Sequence, residues 1–197
     1  MRVIFVTANT NKLEEAKRYL EPLGLEIEQM MIGGEAPEFI EPQSDDLEQI
    51  AISKADQAMS MVPESQKSDC AILVEDSGLF IDSLEGFPGT YSSFVFRKIG
   101  VDGILRLMNG NKMKGCEYRA VSVLVIGERK IIAKGVCRGK ISDKISGTGG
   151  FGYDPIFVPD DSDGRSFAQM SREEKSSISH RGKSLKALSE AISSPSM

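Results

Sequence analysis

Cysteine is scarce in this chain of 197 residues, histidine is rarer still, and no apolar run is long. The three cysteines, Cys70, Cys116 and Cys137, are an odd and widely spaced set, which leaves no disulfide framework or thiolate zinc site and fits a reducing compartment. His180 is the one histidine; a zinc site would need a second, and a lone histidine is by default structural. The longest apolar stretches, such as residues 120–126, fall far short of the roughly 20 residues that cross a bilayer. The amino terminus runs straight into a strand pattern with no cleavable signal segment. These absences exclude a stapled secreted scaffold and a membrane span, and they predict a cytoplasmic protein. A net charge of -5 argues against a nucleic-acid-binding surface, because phosphate backbones are held by basic ones. A few lysines in one cleft still suffice for a small anion.

What is present is ordinary globular material, 40% hydrophobic and 27% charged, of a length that suits a single domain spanning 1–197. Residues 3–6 read as a strand buried on both faces. Leu13, Ala16 and Leu20 follow at helical spacing until Pro22 and Gly24 end the helix. Leu25, Ile27 and Gln29 alternate as a half-buried strand, and residues 33–42 form a loop. A second helix starts at Asp45 or Asp46 and runs to about Val62, with Leu47, Ile50, Ala51, Ala58 and Met61 on one arc. Residues 71–74 are another buried strand, ending in Glu75 and Asp76, and residues 79–81 add a short one. Asp102 caps a helix carrying Ile104, Leu105 and Met108. Residues 120–126 and 130–137 flank Gly127 and Glu128 as a hairpin, which residues 140–145 extend. Ser171 and Glu174 have capping-box spacing, and Leu185, Leu188 and Ile192 mark a last amphipathic helix. The fold class is therefore α/β, with a mixed sheet that is parallel early and antiparallel later.

Several residues fit that scaffold poorly enough to suggest chemistry. Lys54 lies inside the apolar arc of the second helix, where it must either snorkel outward or meet an anion. Taken as a charge on an apolar stripe, it predicts that methionine there stabilises the fold while weakening anion binding. Thr7, Ala8, Asn9, Thr10, Asn11 and Lys12 join a strand to a helix, a place where free N–H groups and the helix dipole favour phosphate. Plain capping by Thr10 or Asn11, with Lys12 in solvent, is the competing account. Glu41, Glu75 and Asp76 are the candidates for Mg²⁺, which takes hard oxygen ligands and shares its waters with substrate phosphates. Exposed carboxylates are the alternative. Strand alternation turns Glu75 and Asp76 to opposite faces, so one of them points into any given site.

Other patterns fail on context. Gly147, Gly149 and Gly152 match G-x-G-x-x-G, but Tyr153, Asp154 and Pro155 follow where a helix should open, so the run is a tightly turned loop presenting Phe151 and Asp154. Gly182, Lys183 and Ser184 end like a Walker A motif, yet Ser177 stands at its first glycine. Arg172, Glu173, Glu174 and Lys175 form a mixed-charge run that by default is a solvated helix face.

Taken in order, these segments resemble the inosine triphosphate pyrophosphatase, or Ham1-like, family over nearly the whole chain. Thr7, Asn9 and Lys12 fit its opening motif; Glu75, Asp76, Ser77 and Gly78 its acidic motif; Phe151, Gly152, Tyr153, Asp154 and Pro155 its third; Lys175 with Ser179, His180 and Arg181 its last. The resemblance implies an elongated central mixed sheet flanked by helices, two lobes with an active-site cleft, and a homodimer. It implies hydrolysis of ITP, dITP and XTP to the monophosphate and pyrophosphate, which cleanses the nucleotide pool. By the same likeness residues 7–12 hold phosphates, Glu41 and Asp76 position Mg²⁺ with Mn²⁺ as a substitute, and Asp76 is the general base. Lys54 and Lys175 neutralise the triphosphate, Phe151 stacks on the base, and Asp154, His180 and Arg181 read or hold it. A Maf-like pyrophosphatase and a nucleotide sensor without turnover are the competing readings.

Overall fold

Short apolar runs alternating with helical periodicity assemble into one mixed sheet. The computed structural model describes residues 1–194. Its strands are β1 (Arg2–Val6), β2 (Glu26–Gln29), β3 (Cys70–Ile81), β4 (Pro88–Gly89), β5 (Gly115–Ile126), β6 (Arg129–Ile141) and β7 (Phe157–Pro159). Its helices are α1 (Thr10–Leu20), α2 (Leu47–Met61), α3 (Ser92–Leu107), α4 (Arg172–Ile178) and α5 (His180–Ser193). The strand order is β2-β1-β3-β5-β6-β7, with β4 on β3. β1 runs parallel to β2 and β3, whereas β4 pairs antiparallel with β3 and β7 with β6. The sheet is thus parallel where helices connect the strands and antiparallel where turns do.

The chain forms two compact units. The first holds residues 1–76, 120–135 and the segment from Ser184 onward. Its core joins Val3, Phe5, Ala71 and Leu73 of β1 and β3 to Ala16 and Leu20 of α1 and to Leu185 and Leu188 of α5. The second holds residues 77–119 and 136–183. There Leu79, Ile81, Tyr118, Cys137 and Ile141 pack with Val95 and Ile104 of α3 and with Phe157 and Phe167. Buried side chains of this size contribute about 1.5–3 kcal/mol each.

Several elements differ from their sequence reading. β3 does not stop at residue 74 but runs twelve residues to Ile81, because its two carboxylates are ion-paired and no longer end a buried strand. α3 begins at Ser92, ahead of Asp102, and kinks at Gly100, where φ is +61°. Its first half leaves Phe94, Phe96 and Ile99 partly exposed, so no apolar stripe announced it. On α2, Met61 is exposed and Ala55 is buried. The hairpin strand β6 ends at Ile141, and residues 142–146 leave the sheet; β7 takes the next place. Phe87–Pro88 is a cis peptide.

Candidate active site

In the first unit, strand parity distributes the charges. Ala71 and Leu73 face α1 in the core, so Glu75, next in that series, faces the same helix. Its carboxylate has no solvent exposure and lies 2.7 Å from Lys12 Nζ, which also donates to the Glu75 carbonyl at 3.0 Å. Asp76 belongs to the opposite series and meets α2. Lys54 Nζ sits 2.7 Å from Asp76 Oδ2 and 2.5 Å from Glu41 Oε1. The lysine on the apolar arc therefore bridges two carboxylates instead of snorkelling.

Glu41 is placed by α2 as well. Gln57, one turn beyond Lys54, accepts from the Ile40 N–H at 3.0 Å and donates to the Ile40 carbonyl at 2.8 Å. Residues three apart on a helix share a face, so Gln57 stands on the same side of α2 as Lys54. Burial opposes charge on Lys54, but Asp76 and Glu41 outweigh it and hold the ammonium above the ordinary lysine value. Burial also lifts Asp76 above the ordinary carboxylate range, against the pull of Lys54 and Lys12 and with a push from Glu75.

The loop before α1 is tied by its own side chains. Asn9, not Thr10 or Asn11, is the helix cap: its Oδ1 accepts from Asn11 N at 2.9 Å and Lys12 N at 3.4 Å. Its extended backbone suits a cap, while Thr10 is already helical. Thr7 Oγ1 accepts from Asn9 N at 3.0 Å, and Gln29 Nε2 donates to the Thr7 carbonyl at 2.7 Å. Ala8 and Thr10 are exposed. Lys12 does not stand free in solvent as plain capping assigned it; it is only partly exposed and is held by Glu75.

In the second unit the glycine run turns tightly and opens no α-helix; a single 3₁₀ turn from Asp154 to Ile156 follows. Gly150 has φ +70°, and a side chain there would strike the Asp154 carboxylate. That carboxylate is buried, accepts from Phe151 N at 2.7 Å and from Lys175 Nζ at 2.6 Å. Lys175 also lies 4.3 Å from the centre of the Phe151 ring and 5.3 Å from that of Phe167. The solvated-face reading of residues 172–175 is corrected at Lys175: Arg172, Glu173 and Glu174 are exposed and Lys175 is buried, because the Ser171–Glu174 capping box starts α4 in the phase that turns Lys175 onto Asp154. His180 and Arg181 open α5, both buried. The Arg181 guanidinium lies 5.2 Å from the Phe151 centroid and donates to Ser77 Oγ at 3.3 Å. Gly152 is half-buried, and Tyr153, buried, donates its hydroxyl to the Ser92 carbonyl at 3.0 Å.

Among the described residues no three His, Cys, Asp or Glu side chains form a ready-made metal cluster. Two carboxylates converging on one cation, Lys54, nevertheless make a donor set that suits a hard divalent ion completed by water and phosphate. No helix among the described residues is long and apolar enough to cross a membrane.

Fold and side chains together define the class: an α/β protein in which Lys12, Lys54 and Lys175 are each held against carboxylates. The chain belongs to the Ham1 family, whose sequence model matches residues 3–191. It is 42% identical over 186 residues to a dITP/XTP pyrophosphatase of Thermococcus kodakarensis, covering 94% of each chain. A protein of the same description from Pyrococcus horikoshii is 42% identical over 190 residues, 96% of each. The solved structure of a HAM1 protein from Coxiella burnetii superposes with a TM-score of 0.81 at 27% identity, covering 98% of each chain.

Proposed function

We propose that this chain hydrolyses non-canonical purine nucleoside triphosphates, dITP, ITP and XTP, to the monophosphate and pyrophosphate. The observation that carries the reading is the Glu41–Lys54–Asp76 ion-pair triad, in a chain 42% identical to dITP/XTP pyrophosphatases over nearly its full length. Phosphoanhydride cleavage needs positioning and charge neutralisation more than a covalent nucleophile. Lys12 and the Thr7–Asn9 turn bind phosphate oxygens beside the α1 N-terminus. Lys54 adds positive charge along the chain of phosphates. Asp76 accepts a proton from the attacking water, whose oxygen bonds to the α-phosphorus as the bond to the bridging oxygen breaks and pyrophosphate leaves. Its lifted pKa makes it a stronger proton acceptor than a solvent-exposed aspartate.

Glu41 and Asp76 would hold Mg²⁺, which when bound supplies charge to the triphosphate and the leaving group. Glu75 serves as the counter-charge that fixes Lys12. In the second unit Phe151 offers an aromatic face to the purine, and His180 and Arg181 take its edge. Lys175, clasped by Asp154, keeps the Phe151 loop in place. Discrimination against ATP rests on polar groups that suit a 6-keto edge and are left mispaired by a 6-amino group. The deciding experiment is product analysis with ITP, XTP, GTP and ATP, with and without Mg²⁺. Monophosphate and pyrophosphate from ITP and XTP, with ATP nearly untouched, is the expected result; phosphate and diphosphate products, or no turnover, overturn it. A homodimer accompanies this reading, and a monomer mass in sedimentation removes it.

A further inference from the structure

We propose that Tyr118 is a specificity-determining positioning residue: stacked on His180, it fixes the direction in which that imidazole faces the purine, without itself touching substrate. The proposal rests on the reading that His180 and Arg181 take the edge of the base. Tyr118 lies on β5 between Glu117, which meets Arg119 and Arg138, and Arg119. Alternation turns it the other way, into the core of the second unit with Cys116.

There its ring is parallel to His180, with centroids 4.5 Å apart and planes 9° from each other. Phe157 meets it edge-on at 4.8 Å, and Phe167 lies at 6.2 Å. Tyr153, in the loop that carries Phe151 and Asp154, lies in the same buried cluster as Tyr118. Phe167, in turn, lies under the Lys175 ammonium. One ring thus ties the first residue of α5 to the loop proposed to face the base.

The consequence is directional. An imidazole free to turn about its last side-chain bond can present a donor or an acceptor wherever a base edge demands it. One clamped face to face has its nitrogens pointing along fixed lines. Such a group rewards one keto-amide pattern and leaves the wrong pattern mispaired, the device that gives large discrimination. Removing the stack loosens the ring's orientation and relaxes the choice of base more than it slows the reaction.

Because His180 is the only histidine, its Cε1–Hε1 group gives a single signal of its kind in a ¹H–¹³C spectrum. In the wild-type protein that signal is expected upfield of its unfolded position, from the ring current of Tyr118, and to move on saturation with IMP but not with AMP. Tyr118→Leu should return it toward the unfolded position and lower the ITP-to-ATP ratio of kcat/KM by about tenfold or more, with kcat on ITP changed less. Tyr118→Phe keeps the stack and should keep both the signal and the ratio. An unchanged ratio in Tyr118→Leu despite a displaced signal overturns the proposal, and so does a wild-type signal indifferent to IMP, a result that holds whether or not the leucine variant folds. Absence of ITP and XTP turnover in the wild type defeats the functional reading instead, and the IMP titration tells the two failures apart.

Discussion

Lys54 shows how one side chain changes meaning when its partners are known. As a charge on an apolar arc it predicts that methionine stabilises the fold. With Glu41 and Asp76 on its ammonium the sign reverses, because removing one partner leaves buried carboxylate charge uncompensated. Lys54→Met is therefore expected to cost about 1–3 kcal/mol, a fall in Tm of roughly 3–10 °C, and to raise KM for the triphosphate; calorimetry and steady-state kinetics check both. Asp76→Asn removes the proposed base with almost no change of volume, so kcat should fall by about 10²–10⁴ while circular dichroism stays that of the folded protein. Both residues are legible in the sequence, Lys54 through helical periodicity and Asp76 through its place at the end of an apolar run. Gln57 and Gln29, which hold the backbone of Ile40 and Thr7, are not, since a glutamine on a helix or at a strand end carries no local sign of which carbonyl it holds.

At the scale of elements, regular periodicity was legible and irregular backbone was not. α2 starts at its expected cap and ends within a residue of its expected stop, because alternation of apolar and polar residues at period 3.6 is a local property. The kinked α3 and the three-residue β7 are stabilised by neighbours distant in sequence, so no local pattern marks them. The same holds for the clasp between β5 and β6, where Glu117 accepts from Arg119 and Arg138. Burial pushes Glu117 up, but Arg138 and Arg119 pull harder and hold it below the ordinary value of 4.5. A carboxylate held low stabilises the fold above its unfolded pKa and loses that contribution as pH falls toward its folded one. Glu117→Gln is expected to lower Tm by roughly 2–4 °C near neutrality, the size of shift that about 1 kcal/mol gives. The gap should close as pH drops below 4.5, which thermal melts across an acid series would show. A gap that is constant with pH would mean that the carboxylate charge plays no part.

For the whole molecule, the absence of disulfides leaves three free thiols, all buried. Burial pushes Cys137 up to about 11 and Cys116 further still. Thiolate is the reactive form, so at pH 8 the folded protein should alkylate at Cys137 roughly 100-fold more slowly than in urea. Mass spectrometry of iodoacetamide adducts tests this, and fast labelling of the native protein would show that the core of the second unit opens readily. The fold class, the mixed sheet and the family are all legible in the sequence, because four motifs spread along the chain constrain one another. The division into two compact units was not legible, since β3, β5, β6 and α5 pass from one to the other with no linker to mark the crossing. That continuity has an evolutionary corollary at β3. Glu75 and Asp76 reach different helices only because adjacent residues of a strand point opposite ways, so a single-residue insertion between Cys70 and Val74 would exchange their partners, whereas an insertion of two would restore them. Descendants of this chain can lengthen their loops freely, but within this strand length should drift only in even steps.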